Sequence, residues 1–157
     1  MKTDSTISRW HVRTLTVSGL LGALSIMLGM TPLGFIPVPT AAGHATIMHI
    51  PAILGAVLEG PKGGALTGLI FGLYSFFRAT SPLFADPIIA IAPRILIGIV
   101  AYGVYRLTRS EALAAASGTF TNTAGVMGLA VLRGYLPKEA AWAIALTHGI
   151  PEIIVAV

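Results

Sequence analysis

The chain is 157 residues long, 55% hydrophobic and only 10% charged, with a formal net charge of +4 and a mean hydropathy of +0.84. Water-soluble domains carry roughly 25% charged residues, so this composition excludes a soluble globular fold, and at about 20 residues per helical span the length allows about six spans at most. The basic residues form no face with interleaved aromatics, which argues against nucleic-acid binding, and the absence of cysteine excludes disulfide and thiol chemistry.

Residues 1–11 are a polar, basic tail. Residues 12–30 form a first span that is too long, and lacks the small-residue exit, for a cleaved signal peptide, so it is expected to be retained. The segment 32–46, PLGFIPVPTAAGHAT, contains three prolines and two glycines, which forbid a regular helix. Being apolar and without net charge, it is expected to fold over a pocket as a lid. Spans at 47–58 and 65–77 flank a tight polar turn, and a second irregular loop, 79–87, leads to a fourth span at 88–107 that Pro93 is expected to kink. Ser110 is positioned to cap a fifth span, 112–132. A sixth begins at 140 and the sequence stops at 157 inside apolar residues, so the natural chain is expected to continue further. The fold expected is an all-α, six-helix transmembrane bundle in one domain. If the N-terminus is cytoplasmic, Lys2, Arg9, Arg13, Lys62, Arg106 and Arg109 lie on that side and Arg78, Arg133 and Lys138 on the other. Six against three favours that orientation.

Arg94 sits seven residues into the fourth span. A guanidinium at that depth is costly unless a polar partner or a ligand receives it, so the sequence points to a polar site inside the membrane. Asn122, His148 and Glu152 are the other polar residues within spans, with His44, His49 and Arg78 near the outer surface; Tyr74, with Phe76 and Phe77, is an aromatic for packing or the membrane interface, the alternative being a place in the pocket wall. At 1.5 Å per residue Arg94 lies about 9 Å below the outer end of its span and Asn122 about 15 Å from the inner end of the next, depths compatible with one cavity. His148 and Glu152 are four apart and share a helix face, and Pro151 between them frees the carbonyl of Thr147. The alternative for Arg94 and Glu152 is a packing pair that neutralises itself between helices. For Asn122 it is an interhelical hydrogen bond, and for His148 a bond to neighbouring backbone. The histidines are scattered, and no metal site is expected. In the first span Ser18 with Gly22, and Gly19 with Ala23, place small side chains four apart, which suits either close approach by another helix or packing within the bundle. No nucleotide-binding glycine-lysine loop occurs, so any energy for work must come from a partner or an ion gradient.

The texts PLGFIPVPTAAGHATIMHIPAILGAVLEGPKGG and SPLFADPIIAIAPRILIGIVAYGVYRL, the TNT at 121–123 and HGIPE at 148–152 together resemble the substrate-binding S components of energy-coupling factor (ECF) vitamin transporters, over nearly the whole chain. The group that includes pantothenate, folate and pyridoxine S components is the most similar. The resemblance implies a six-helix, multi-pass protein of a prokaryotic plasma membrane, with no enzymatic activity and no cofactor of its own. It further implies a vitamin bound under the outer loops, and a membrane coupling subunit with two ATPases as partners. Ser18, Gly19, Gly22 and Ala23 correspond to the small-residue docking motif of that family, with Gly19 where the family has alanine. Arg94 favours an anionic vitamin through a charge-assisted carboxylate contact, and pantothenate is the expected one. Folate, pyridoxine or hydroxymethylpyrimidine and cobalamin are alternatives. Met48-His49-Ile50-Pro51 is similar to the start of cobalt and nickel S components, where the free N-terminus is a ligand; here the segment is internal, so metal uptake is a minor alternative. An intramembrane hydrolase would need a nucleophile in register with His148, and no such motif is visible. A purely structural subunit is disfavoured by the cost of the buried charge.

Overall fold

The computed structural model describes residues 5–37, 44–79 and 81–157, the side chains of 5–11, 44 and 45 excepted. Helix α1 runs Ser5–Met30, α2 Ile50–Arg78, α3 Pro87–Thr108, α4 Glu111–Leu132 and α5 Lys138–Ala156. Val12–Met30 and Pro87–Thr108 are long and apolar enough to cross a membrane. Apolar side chains such as Leu20, Leu107, Leu132 and Ile154 point outward, as suits a bundle whose surroundings are hydrocarbon.

The spans expected at 47–58 and 65–77 are one element with a break. Gly60, at φ 80° and ψ −170°, occupies backbone space open only to glycine, and Pro61 follows at the position where its missing N–H costs nothing. The reversal therefore needs one residue rather than the polar turn of six expected from the sequence. The arms 50–59 and 61–78 close on each other, with a methyl at Gly55 meeting the Thr67 hydroxyl at 2.8 Å and one at Gly64 meeting Ala56 at 2.6 Å.

The segment expected to be irregular at 32–46 holds a short 3-10 turn, Pro32–Gly34, and an antiparallel ribbon of β1, Phe35–Pro37, with β2, His44–Thr46. Phe35 pairs with Thr46, Ile36 with Ala45 and Pro37 with His44. Proline is tolerated because Pro37 ends an edge strand. The loop before α3 holds a second 3-10 turn, Pro82–Ala85, and ends at Asp86, whose carboxylate accepts the Ile88 amide at 2.9 Å. Ser110 caps α4 as expected, accepting from Leu113 at 3.3 Å. α3 runs through Pro93 as one element.

The helices alternate in direction. Arg13 near the start of α1 pairs with Glu59 beside the Gly60 break at 2.9 Å; at the opposite end Arg133, after α4, pairs with Asp86 at 3.3 Å. Towards the Gly60 end the interior is filled by Ala52, Ile53, Ala56, Ile97, Ala101 and Ala114. Small residues there let α2, α3 and α4 pack closely at that end. Gly64, Gly68 and Gly72 form a stripe on α2 against which the α3 backbone lies. A methyl at Gly68 would sit on the carbonyl of Arg94, and one at Gly72 would meet the Ile91 Cα at 2.9 Å. The stripe therefore sets the depth and rotation of Arg94. Gly68→Ala is expected to lower stability by about 1–3 kcal/mol through overpacking and to weaken ligand binding as α3 moves; an unchanged melting temperature would show that α3 is not seated on this glycine.

Candidate functional site

Below the loop end of the bundle lies a cavity of about 380 Å³, within the usual range for small-molecule sites. It is bounded by the ends of α1 and α2, the two loops, the start of α3 and the facing parts of α4 and α5. Arg94, Asn122, His148, Glu152, Tyr74 and Arg78 all line it. These residues are separated by up to 78 positions in sequence, and the antiparallel folding brings them to one space.

Arg94 is buried, 4% exposed. Its Nη1 donates to the Ile89 carbonyl at 2.9 Å, while its Nε is buried without an acceptor. No direct ion pair joins Arg94 to Glu152 among the described residues; the two charges attract each other across the cavity without touching. Two aromatic faces hold the guanidinium. The guanidinium carbon lies 4.8 Å from the Phe84 ring centroid and 5.3 Å from that of Phe71, cation–π contacts worth about 1–2 kcal/mol each when desolvated.

Glu152 is also buried, and its carboxylate is engaged elsewhere. One oxygen accepts from the Thr46 amide at 3.0 Å and the Thr46 hydroxyl at 2.7 Å. The other accepts from the Thr123 hydroxyl at 3.3 Å. His148 Nε2 lies 3.8 Å from the first oxygen. Glu152 thus ties the β-ribbon to α4 and α5. The His148 Nδ1 and the Asn122 Oδ1 are buried without partners, and Arg78 donates to the Tyr74 hydroxyl at 3.0 Å.

Electrostatically, two guanidinium groups face a single carboxylate that already accepts three hydrogen bonds. The cavity is therefore arranged for an anion, with unpaired polar groups opposite and apolar walls from Phe35, Met48, Val126 and Met127 for a hydrocarbon portion. Buried polar atoms without partners are rare and costly, and a ligand that paired with them would recover that cost.

Two expected residues are elsewhere. His49 does not line the cavity: it is 1% exposed, with Nε2 2.9 Å from the Thr119 hydroxyl. Thr119 donates its one proton to the Ala115 carbonyl at 2.9 Å, so it accepts from His49, and the bond clamps the start of α2 to α4. His49→Ala is expected to cost about 2 kcal/mol or more of stability through cavity and hydrogen-bond loss, with affinity changing less than on loss of Arg94, and His49→Gln, which keeps a donor, to recover part of it. A binding defect at wild-type stability would return His49 to the site. His44 contributes backbone to β2, and its side chain lies outside the described residues.

Ser18 and Gly22 face inward. The Ser18 hydroxyl donates to the Gly63 carbonyl at 3.2 Å, and a methyl at Gly22 would meet Ile70 at 2.6 Å. Gly19 and Ala23 face outward, Gly19 with nothing within 4 Å of an added methyl. The sequence reading missed Phe71, Phe84, Thr46 and Thr123. Thr123 carried a signal in its place beside Asn122; the two phenylalanines carried none.

The pantothenic acid transporter PanT of Lactococcus lactis subsp. cremoris is 34% identical to this chain over 142 residues, covering 71% of each. The pantothenate transporter PanT of Leuconostoc mesenteroides subsp. mesenteroides is 33% identical over 88 residues, covering 52% of this chain and 42% of its own. Residues 13–157 match the family model for the ECF transporter substrate-specific component. The chain belongs to the substrate-specific components of ECF transporters, and is a membrane transport subunit rather than an enzyme.

Proposed function

We propose that this chain captures pantothenate from outside the cell and presents it to a membrane coupling subunit energised by two ATPases. In this reading the chain crosses the plasma membrane six times, counting the arms of α2 separately, with its N-terminus in the cytoplasm and the cavity opening outward. The carrying observation is the Arg94 guanidinium, buried in the cavity between two aromatic rings with a free donor and no carboxylate at ion-pair distance among the described residues. Pantothenate supplies a carboxylate for it, hydroxyl and amide groups for Asn122 and His148, and a gem-dimethyl group for the apolar wall. The names of two relatives point to the same vitamin. Outward Gly19 and Ala23 are proposed as the docking face for the coupling subunit.

Titration calorimetry on the purified protein is expected to show saturable one-to-one binding of pantothenate, with folate, pyridoxine and hydroxymethylpyrimidine at least about 100-fold weaker, the discrimination expected when a site's buried polar groups go unpaired. Tighter binding of any of these would replace the substrate while leaving the family intact. The Thr46–Glu152 bonds make the ribbon the cover of the site. Amide exchange at 44–47 and 81–86 should slow on adding pantothenate while that around Gly60 does not, and Glu152→Ala, which removes the acceptor of the Thr46 bonds, should remove most of the slowing at Thr46. An equal response at both ends of the bundle would argue against a localised cover.

A further inference from the structure

A second concavity runs along the outside of the bundle between α4 and α5. Its volume, about 530 Å³, exceeds that of the cavity, yet Lys138, Thr123 and the indole N–H of Trp142 are its only polar side-chain groups among the described residues. A vitamin with several polar groups would leave them unpaired there, at a cost. The groove suits hydrocarbon.

Its shape is that of a slot. On α5 the positions Lys138, Ala141, Ala145 and Gly149 follow helical spacing along one stripe, and Thr123 and Met127 on α4 complete the floor. The two helices are close there, with a methyl at Gly149 meeting Thr123 at 3.3 Å. One rim is high, formed by Trp142, Leu146 and Ile150, which are 69%, 56% and 53% exposed. From Lys138 to Ile153 the slot is about 22 Å long at 1.5 Å per residue, more than the roughly 15 Å of one leaflet of a 30 Å hydrocarbon core. A single extended acyl chain matches this length.

The mouth selects charge. Lys138 is the only cation that lines the groove among the described residues, and the nearby Arg133 is engaged with Asp86. α5 begins after Pro137 with no side chain capping its first turn, so its free N–H groups add positive potential at the same point. Glu139 follows Lys138 but does not line the groove. We propose that the α4–α5 groove is a lipid site that holds one acyl chain of an anionic phospholipid from the loop-side leaflet, with its phosphate on Lys138 and the start of α5. Thr123 and Met127 border both the groove and the cavity, so the acyl chain lies directly behind the cavity wall.

Trp10 and Trp142 are the two tryptophans of the chain, and Trp10→Phe makes Trp142 the sole reporter. In nanodiscs, brominated phosphatidylglycerol should quench Trp142 at about fivefold lower mole fraction than brominated phosphatidylcholine, the factor expected for one basic residue near the surface. Lys138→Gln should bring the two lipids together. Ala145→Leu, which fills the floor without lining the cavity, should remove the saturable quenching for both while keeping a wild-type melting temperature. Native mass spectrometry of the detergent-extracted protein should show one retained phosphatidylglycerol, lost in both variants. Equal quenching by the two lipids in the wild-type protein, or a preference that survives Lys138→Gln, would overturn the proposal. A dimer that dissociates on Ala145→Leu would overturn it too, by assigning the groove to a second copy.

Discussion

Arg94→Ala is expected to lower pantothenate affinity about 30-fold or more, the equivalent of about 2 kcal/mol for a lost charge-assisted contact to a carboxylate. The empty protein should behave in the opposite sense. In the absence of ligand the guanidinium is buried with one backbone acceptor and an unpaired Nε, so removing it relieves a desolvation penalty, offset by the lost contacts with Phe71 and Phe84. The melting temperature without ligand should therefore stay level or rise, while the increase produced by pantothenate nearly disappears. Arg94→Lys should recover only part of the affinity, because an ammonium lacks the planar fork and stacks less well between rings. Unchanged affinity together with a large loss of stability would make Arg94 a structural residue and remove the main support for an anionic substrate.

The polar half of this site was legible in the sequence because ionisable and amide groups within apolar spans are rare and must be accommodated. Arg94, Asn122, His148 and Glu152 stand out for that reason, and helical rise alone placed Arg94 and Asn122 at compatible depths. The apolar half was not legible. Phe71 lies in a run that is hydrophobic on every side, where no periodicity distinguishes a residue against a guanidinium from one against lipid, and Phe84 lies in a short irregular loop with no periodicity at all. Thr46 was hidden for another reason: its strand is three residues long, too short for an alternation signal, and its partner Glu152 is 106 positions away. The helix break at Gly60 was read as a turn of six residues because proline and glycine mark a reversal without stating its length. His49 misled because polarity near a span end marks a buried hydrogen bond as well as a binding group, and only the Thr119 contact separates the two.

The four small residues of α1 show the same limit, and they lead to the second large effect expected. Spacing by four states that Ser18 shares a face with Gly22, and Gly19 with Ala23, but not which face is outside. The structure turns the first pair onto α2 and leaves the second open, on a helix whose segment Val12–Met30 is only 22% buried. Ala23→Leu should therefore abolish pantothenate uptake by cells that express the coupling module, and co-purification with it, while affinity and melting temperature of the isolated protein stay at wild-type values. A leucine here obstructs only a helix approaching from outside. Gly22→Leu should do the reverse, because its side chain would collide with Ile70: stability should fall by about 1–3 kcal/mol or more, with uptake lost only as folded protein is lost. If Ala23→Leu lowers binding and uptake equally, the outward face of α1 is part of the ligand-bound fold rather than a docking surface. If it leaves uptake intact, the coupling subunit engages a different helix.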